Sequence, residues 1–189
     1  RVLTLEEEDL LLANAKEPLK SMIHIAIYSG LRLNSIRTLK WTCVDFNSNT
    51  ITIEATYSKN KKTHIIPMNA TVRKVLLEAK LRCGNSEYVL PGAIALDVTT
   101  LCHKFVQLCK RLGVQGMGFH GLRHTCGTRL AEMGKDISTI SKALGHSSIN
   151  MSMRYVHPKE SVKRAMDDLV NYRSFATSFA TNEGLEYPK

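Results

Sequence analysis

Residues 119–158 read FHGLRHTCGTRLAEMGKDISTISKALGHSSINMSMRYVHP, and their punctuation decides the fold around them. The apolar spacing predicts helices over 122–133 and 136–144, stopped by Gly134 and Gly145, the residue type that ends helices most easily. Two more helices are expected over 148–155 and 158–169. The same stretch carries two histidines around an arginine (His120, Arg123, His124), a histidine behind a glycine (His146) and a tyrosine between Arg154 and His157. It holds no serine nucleophile elbow, no paired carboxylates and no glycine-rich phosphate loop. Positive charge, hydrogen-bond donors and one phenol suit a phosphodiester, not a peptide or a sugar.

Upstream, Thr4 with Glu7 makes a capping-box signature, and the acids from Glu6 to Asp9 suit the positive end of a helix. Leu5, Leu11 and Leu12 give that helix an apolar side. A second helix runs from about Pro18 to Ser29 with Met22, Ile23, Ala26 and Ile27 inward, and Gly30 breaks it. A third, over 34–40, turns Ile36 and Leu39 inward. The period then changes. Val44, Phe46, Ile51, Ile53, Ala55 and Tyr57 alternate with polar residues, turns fall at 47–49 and 58–62, and 63–67 completes three short antiparallel strands. Helical spacing returns behind Asn69 (Val72, Val75, Leu76, Ala79) and Asp97 (Val98, Leu101, Phe105, Leu108, Leu112), with 84–92 a loop between them. No long linker divides the chain. The expected class is α+β: one mainly helical domain over 1–170 with a small three-stranded antiparallel sheet, then a tail over 171–189.

The 189 residues suffice for one domain with a proper core, and an apolar fraction of 43% fits a globular protein. No apolar run approaches the ~20 residues of a membrane helix, and the N-terminus has no signal-peptide pattern. Because the chain opens at Arg1 and not at methionine, it is expected to be a fragment of something longer. The net charge of +9 points toward a polyanion, although surplus lysine also serves solubility. Five cysteines without CxxC spacing indicate a reducing, cytoplasmic setting with no disulfide framework.

Metal-free exchange at a phosphodiester needs forks for the nonbridging oxygens, a proton for the leaving oxygen and a base for the nucleophile. Arg32 follows a helix stop in Ser29-Gly30-Leu31-Arg32; alone it would be a solvated arginine. Lys59 sits at a strand turn with Lys61 and Lys62; such a cluster is usually a solvated edge, yet a hairpin tip can also reach a phosphate or a groove. His120 and Arg123 stand three apart at a helix start and share a face. His124 could pair with His120 on zinc, but no glutamate lies between them and the intervening Arg123 would repel a cation; no metal site is expected. His146 is held by a helix ending. Tyr155, an ordinary phenol ionising near pH ~10, attacks only with a base or cations beside it.

Taken in order, SGLR at 29–32, the lysine hairpin, HGLRHT at 120–125, LGHSS at 144–148 and MRYVH at 153–157 resemble the tyrosine recombinases, the phage-type integrases, across nearly the whole chain. The resemblance implies the catalytic domain of a DNA breaking-and-rejoining enzyme that follows an N-terminal core-binding domain, with RVLTLEE similar to the join. It implies that Tyr155 attacks the scissile phosphate to form a 3′-phosphotyrosyl link and free a 5′-hydroxyl. Arg32 and Arg123 would clamp the nonbridging oxygens, Lys59 (with Lys61 and Lys62 as further candidates on the same hairpin) protonate the leaving oxygen, His120 take the phenol proton and His146 donate to a phosphate oxygen. Lys61, Lys62 and Arg154 would touch DNA. Neither cofactor nor metal is implied; the partners are double-stranded DNA and three further copies in a tetramer, integrating or excising a phage or mobile element. Where the family carries an acid three residues after the first arginine this chain has Ser35, so either support for Arg32 comes from elsewhere, Asp45 being one candidate, or the site is tuned differently. Phe175 and Phe179 in the tail are expected to dock on a neighbouring protomer. Two rivals share parts of this reading: a type IB topoisomerase, and a silent DNA-binding module, against which six intact reactive positions argue.

Overall fold

Thr4 opens the first helix, α1 (Leu5–Asn14), as a full capping box: its hydroxyl accepts from the Glu7 N–H, and the Glu7 carboxylate accepts from the Thr4 N–H. The computed structural model describes residues 1–53, 63–146, 148–155 and 166–168. Leu11 is buried as expected, but Leu5 is 66% exposed; Leu3, ahead of the cap, is the residue that packs inward. Glu8 is also buried.

Helix α2 (Leu19–Ser29) buries Met22, Ile23, Ile25, Ala26 and Ile27, a nearly all-round apolar surface that only a central helix can use. It packs against α1, α3 (Leu33–Arg37), α4 (Ala70–Arg82) and α7 (Phe119–Glu132). Helix α3 stops before the expected residue 40. Beyond it the backbone pairs elsewhere, Val89 N–H donating to Leu39 and Trp41 N–H to Glu87, so long-range pairing overrides local helix preference.

Strands β1 (Val44–Asp45), β2 (Thr50–Ile53) and β3 (His64–Pro67) form an antiparallel sheet in that order, with Val44 opposite Ile51, Ile51 opposite Ile66 and Ile53 opposite His64. The period of two puts Ile51, Ile53 and Ile66 into the core. The first turn lies where expected. Asp45 holds it, accepting from the N–H groups of Asn47 and Ser48 and from the Ser48 hydroxyl. The second turn, with Lys59, Lys61 and Lys62, lies outside the described residues.

Asn69 and Asp97 cap α4 and α6 (Val98–Arg111) through their side-chain oxygens. A short α5 (Pro91–Ile94) occupies the end of the expected loop, Pro91 supplying the first-turn geometry. Helix α7 begins at Phe119, three residues early, and α8 (Ile137–Leu144) follows behind Asp136. The helix expected over 148–155 is instead two 3-10 turns, Ile149–Met151 and Met153–Tyr155. The hydroxyl of Ser148 takes the N–H of Asn150, and i→i+3 bonds close the first turn.

The chain divides into two compact units, Arg1–Arg154 and Tyr155–Lys189. All the α-helices and strands named above belong to the first. In the second, residues 166–168 are helical, and the tail from 171 lies outside the described residues. The expected class is the one found: mainly helical, with one small antiparallel sheet.

Candidate active site

Two helix ends build the centre of the first unit. Helix α2 ends at Gly30 and α8 at Gly145, both left-handed (φ 65° and 60°), a conformation that other residues adopt only with strain. Both glycines are also crowded. A Cβ on Gly30 would sit 2.4 Å from Leu144 Cδ2, and one on Gly145 would sit 2.7 Å from the His64 ring. The two helix ends and β3 therefore meet at close range.

Arg123, on α7, bridges these ends. Its Nη1 donates to the Gly30 carbonyl at 2.6 Å and its Nη2 to the Leu144 carbonyl at 2.5 Å. The residue is 4% exposed. Carbonyls at helix C-termini lack intrahelical donors, so the guanidinium satisfies them while they fix its direction. Arg32, the residue before α3, is half-buried, and burial alone pushes its pKa down. Among the described residues it has no ion pair. Ser35, three residues on, is a buried hydroxyl, and Asp45 does not take its place: that carboxylate is occupied by its own turn. Of the two alternatives, the Asp45–Arg32 pairing is not formed, because the carboxylate serves three donors within three residues of itself.

Around these arginines stand imidazoles, all shifted toward the neutral form. His120, in the first turn of α7, is lowered first by shielding from water, then by Arg123, Arg32, Arg154 and His124. His146, just past Gly145, is lowered to about 4 by burial and then by Arg123, Arg32, Arg154 and His120. Its Nδ1 lies 2.6 Å from the hydroxyl of the fully buried Ser152. His64, at the start of β3, is lowered by burial and by the same two arginines, while a backbone hydrogen bond to Ala143 pulls the other way. The ionisable neighbours that depress these three rings are all basic. Cys126, near Gly30, is raised to about 11 by burial and so stays a thiol at neutral pH.

Of the residues expected from the sequence, Arg32, His120, Arg123, His146 and Arg154 come together in the first unit. Tyr155 ends the second 3-10 turn and opens the second unit. Lys59, Lys61 and Lys62 lie outside the described residues. The group has two guanidiniums to hold an anion, neutral rings to take or give a proton, and a hydroxyl behind one ring. Among the described residues no three of His, Cys, Asp and Glu gather in a way that would hold a metal ion.

A model of the phage integrase family matches residues 1–161. The chain belongs to that family. The integrase of Salmonella phage P22 is 28% identical over 165 residues, which cover 80% of this chain and 42% of that protein. Tyrosine recombinase XerC of Chlamydia muridarum is 30% identical over 159 residues, covering 79% of this chain and 49% of that protein. The chain thus spans about half the length of the curated relatives it matches. Its fold is similar to that of the XerA recombinase, with a TM-score of 0.71 at 24% identity over 99% of this chain and 66% of that one. It is also similar to the Tn1549 transposon integrase in complex with transposon right end DNA, with a TM-score of 0.76 at 21% identity over 90% of this chain and 66% of that one.

Sequence reasoning missed two residues at this centre and a third that ties helices together elsewhere. His64 reads as an ordinary strand residue, and its place against Gly145 is tertiary. Ser152 reads as one polar residue on a polar helix. Glu8 reads as one of a run of helix-start acids, yet it is buried and accepts from Arg129 Nη1 at 2.6 Å and from the Tyr28 hydroxyl at 2.7 Å.

Proposed function

We propose that this chain is the catalytic part of a site-specific DNA recombinase that cleaves and rejoins strands through a 3′-phosphotyrosyl intermediate, integrating or excising a phage or mobile element. One observation carries the reading. A half-buried guanidinium without an ion pair among the described residues stands beside a second, buried one and a set of neutral imidazoles. A phosphodiester supplies the missing negative charge, and its transition state, carrying more charge, is held more tightly still.

In this scheme Tyr155 attacks phosphorus, the bond to the 5′-oxygen breaks, and Lys59 delivers a proton to that oxygen. Neutral His120 takes the phenol proton, Arg32 and Arg123 hold the nonbridging oxygens, and His146 donates to one of them. The phosphotyrosyl bond conserves the energy of the broken one, so rejoining needs no nucleotide cofactor. Lys61, Lys62 and Arg154 hold the DNA backbone, with affinity falling as salt rises. The working particle is a homo-tetramer on double-stranded DNA, each copy carrying a core-binding domain ahead of this chain and a tail over 171–189 that docks on its neighbour. No helix among the described residues is long and apolar enough to cross a membrane, in keeping with action on DNA in the cytoplasm.

A nicked suicide duplex tests the reaction. The full-length protein is expected to form a covalent adduct on the 3′ side of the break, and Tyr155→Phe to form none. An adduct of unchanged yield from Tyr155→Phe would remove the nucleophile and the reading with it. Strand exchange between two duplexes, not supercoil relaxation alone, is expected of the same preparation.

A further inference from the structure

We infer that Ser152 is a positioning residue: it donates its hydroxyl proton to His146 Nδ1 and thereby keeps the other ring proton on Nε2, the nitrogen that faces away from it. The inference deepens the proposed recombinase reading by saying how His146 is made a donor.

The geometry comes first. Ser152 is fully buried, and its Oγ has one partner among the described residues, His146 Nδ1, at 2.6 Å. A neutral imidazole has one N–H, so this contact can run in either direction. If Nδ1 carried the proton and donated to Oγ, the hydroxyl hydrogen would be left buried with no acceptor among the described residues, which is unfavourable. If Oγ donates instead, the buried hydroxyl hydrogen has its acceptor, and the ring proton sits on Nε2. The tautomer at one ring nitrogen is set by the bond that the other makes, so the proton is placed on Nε2. That choice matters on chemical grounds. A lone pair on Nε2 would repel a phosphate oxygen, whereas an N–H there binds it.

The backbone supports the same assignment. The N–H of Ser152 donates to the Ile149 carbonyl at 2.8 Å, closing the 3-10 turn, and that of His146 donates to the Ser141 carbonyl at 3.0 Å at the end of α8. Both partners are thus pinned by their own turns. On the far side of the loop, the His64 ring fills the space that a Cβ on Gly145 would need.

The test has a spectroscopic arm and a kinetic one, both on the full-length protein. With ¹⁵N-labelled histidine, long-range ¹H–¹⁵N spectra are expected to show His146, assigned by the loss of its signals in His146→Gln, as the Nε2–H tautomer at pH 7. Ser152→Thr should keep that tautomer and Ser152→Ala should lose its dominance. On the suicide duplex, Ser152→Ala should cleave about tenfold more slowly at unchanged DNA affinity, the lower end of what losing a partner behind a ligating imidazole costs. Ser152→Thr should restore the rate, and in a His146→Gln background Ser152→Ala should add nothing. An Nδ1–H tautomer in the unsubstituted protein overturns the inference, as does a Ser152→Ala enzyme of full rate. If Ser152→Ala does not fold, the spectra of the unsubstituted and threonine proteins decide alone. An Nε2–H signal from a protein that forms no adduct would uphold the assignment and overturn the recombinase reading.

Discussion

Arg129 and Arg123 stand six residues apart on the same helix and meet opposite surroundings. Arg129 donates to the buried carboxylate of Glu8, which also receives the Tyr28 hydroxyl; a full negative charge answers the guanidinium, and α1, α2 and α7 are tied together. The bonds of Arg123 to the carbonyls of Gly30 and Leu144 are of another kind. Carbonyl dipoles orient a guanidinium without cancelling its charge. Arg32, beside it, has no ion pair among the described residues, and water is partly excluded from it. One arginine is a joint. In the proposed reading the other two hold the phosphate.

The sharpest way to break this contrast is to exchange each arginine for lysine, which keeps charge and loses the fork. Arg123→Lys should slow adduct formation by about a thousandfold, the scale of losing an oxyanion-type donor pair. Arg129→Lys should leave the rate per folded molecule within about threefold, since its fork serves stability. Equal losses in the two variants would erase the distinction.

Stability should invert the order. Glu8→Gln leaves Arg129 without its countercharge and should cost about 3 kcal/mol in urea denaturation. Arg32→Gln removes a desolvated charge that has no ion pair among the described residues, so stability should hold or rise while cleavage is lost. A strongly destabilised Arg32→Gln protein would show that Arg32 too is a joint.

Proton uptake sharpens the contrast further. The folded-state pKa values of His64, His120 and His146 are depressed, that of His146 to about 4, against about 6.5 in an unfolded chain. Between those values the unfolded chain binds more protons. The stability these rings contribute is therefore complete above about pH 6.5 and is lost as pH falls toward 4. A bound phosphodiester favours the charged rings, so the DNA complex should lose less on acidification than the free protein. Denaturation midpoints at pH 7.5 and 5.0, with and without DNA, measure both slopes. The smallest effect belongs to the rim: Arg154→Ala should reduce the slope of log affinity against log salt by about one, uniformly across DNA sequences.

Much of the fold was legible in the chain. Capping by Thr4, Asn69 and Asp97, the stops at Gly30 and Gly145, and the alternation through Ile51 and Ile53 are local signals, and all are found. The errors arose where distant pairing or local side-chain bonds outbid helix preference. Helix α3 is cut short by backbone pairing with 87–89, Leu5 yields its inward place to Leu3, and the segment over 148–155 tightens into 3-10 turns. The residue types that come together beside Gly30 and Gly145 were legible as a list, Arg32, Arg123, His120 and His146 among them. His64 and Ser152 were not, because neither carries a local mark of its neighbours.

By itself the sequence determined which chemical groups the chain has and which helices and strands carry them, since caps, helix stops and apolar periods act over a few residues. Only the tertiary structure decided which guanidinium meets a carboxylate and which meets main-chain carbonyls. Glu8 lies 121 residues from Arg129, and Gly30 lies 93 from Arg123. Desolvation and the field of neighbouring charges sum over distance in space, and separation along the chain does not enter that sum.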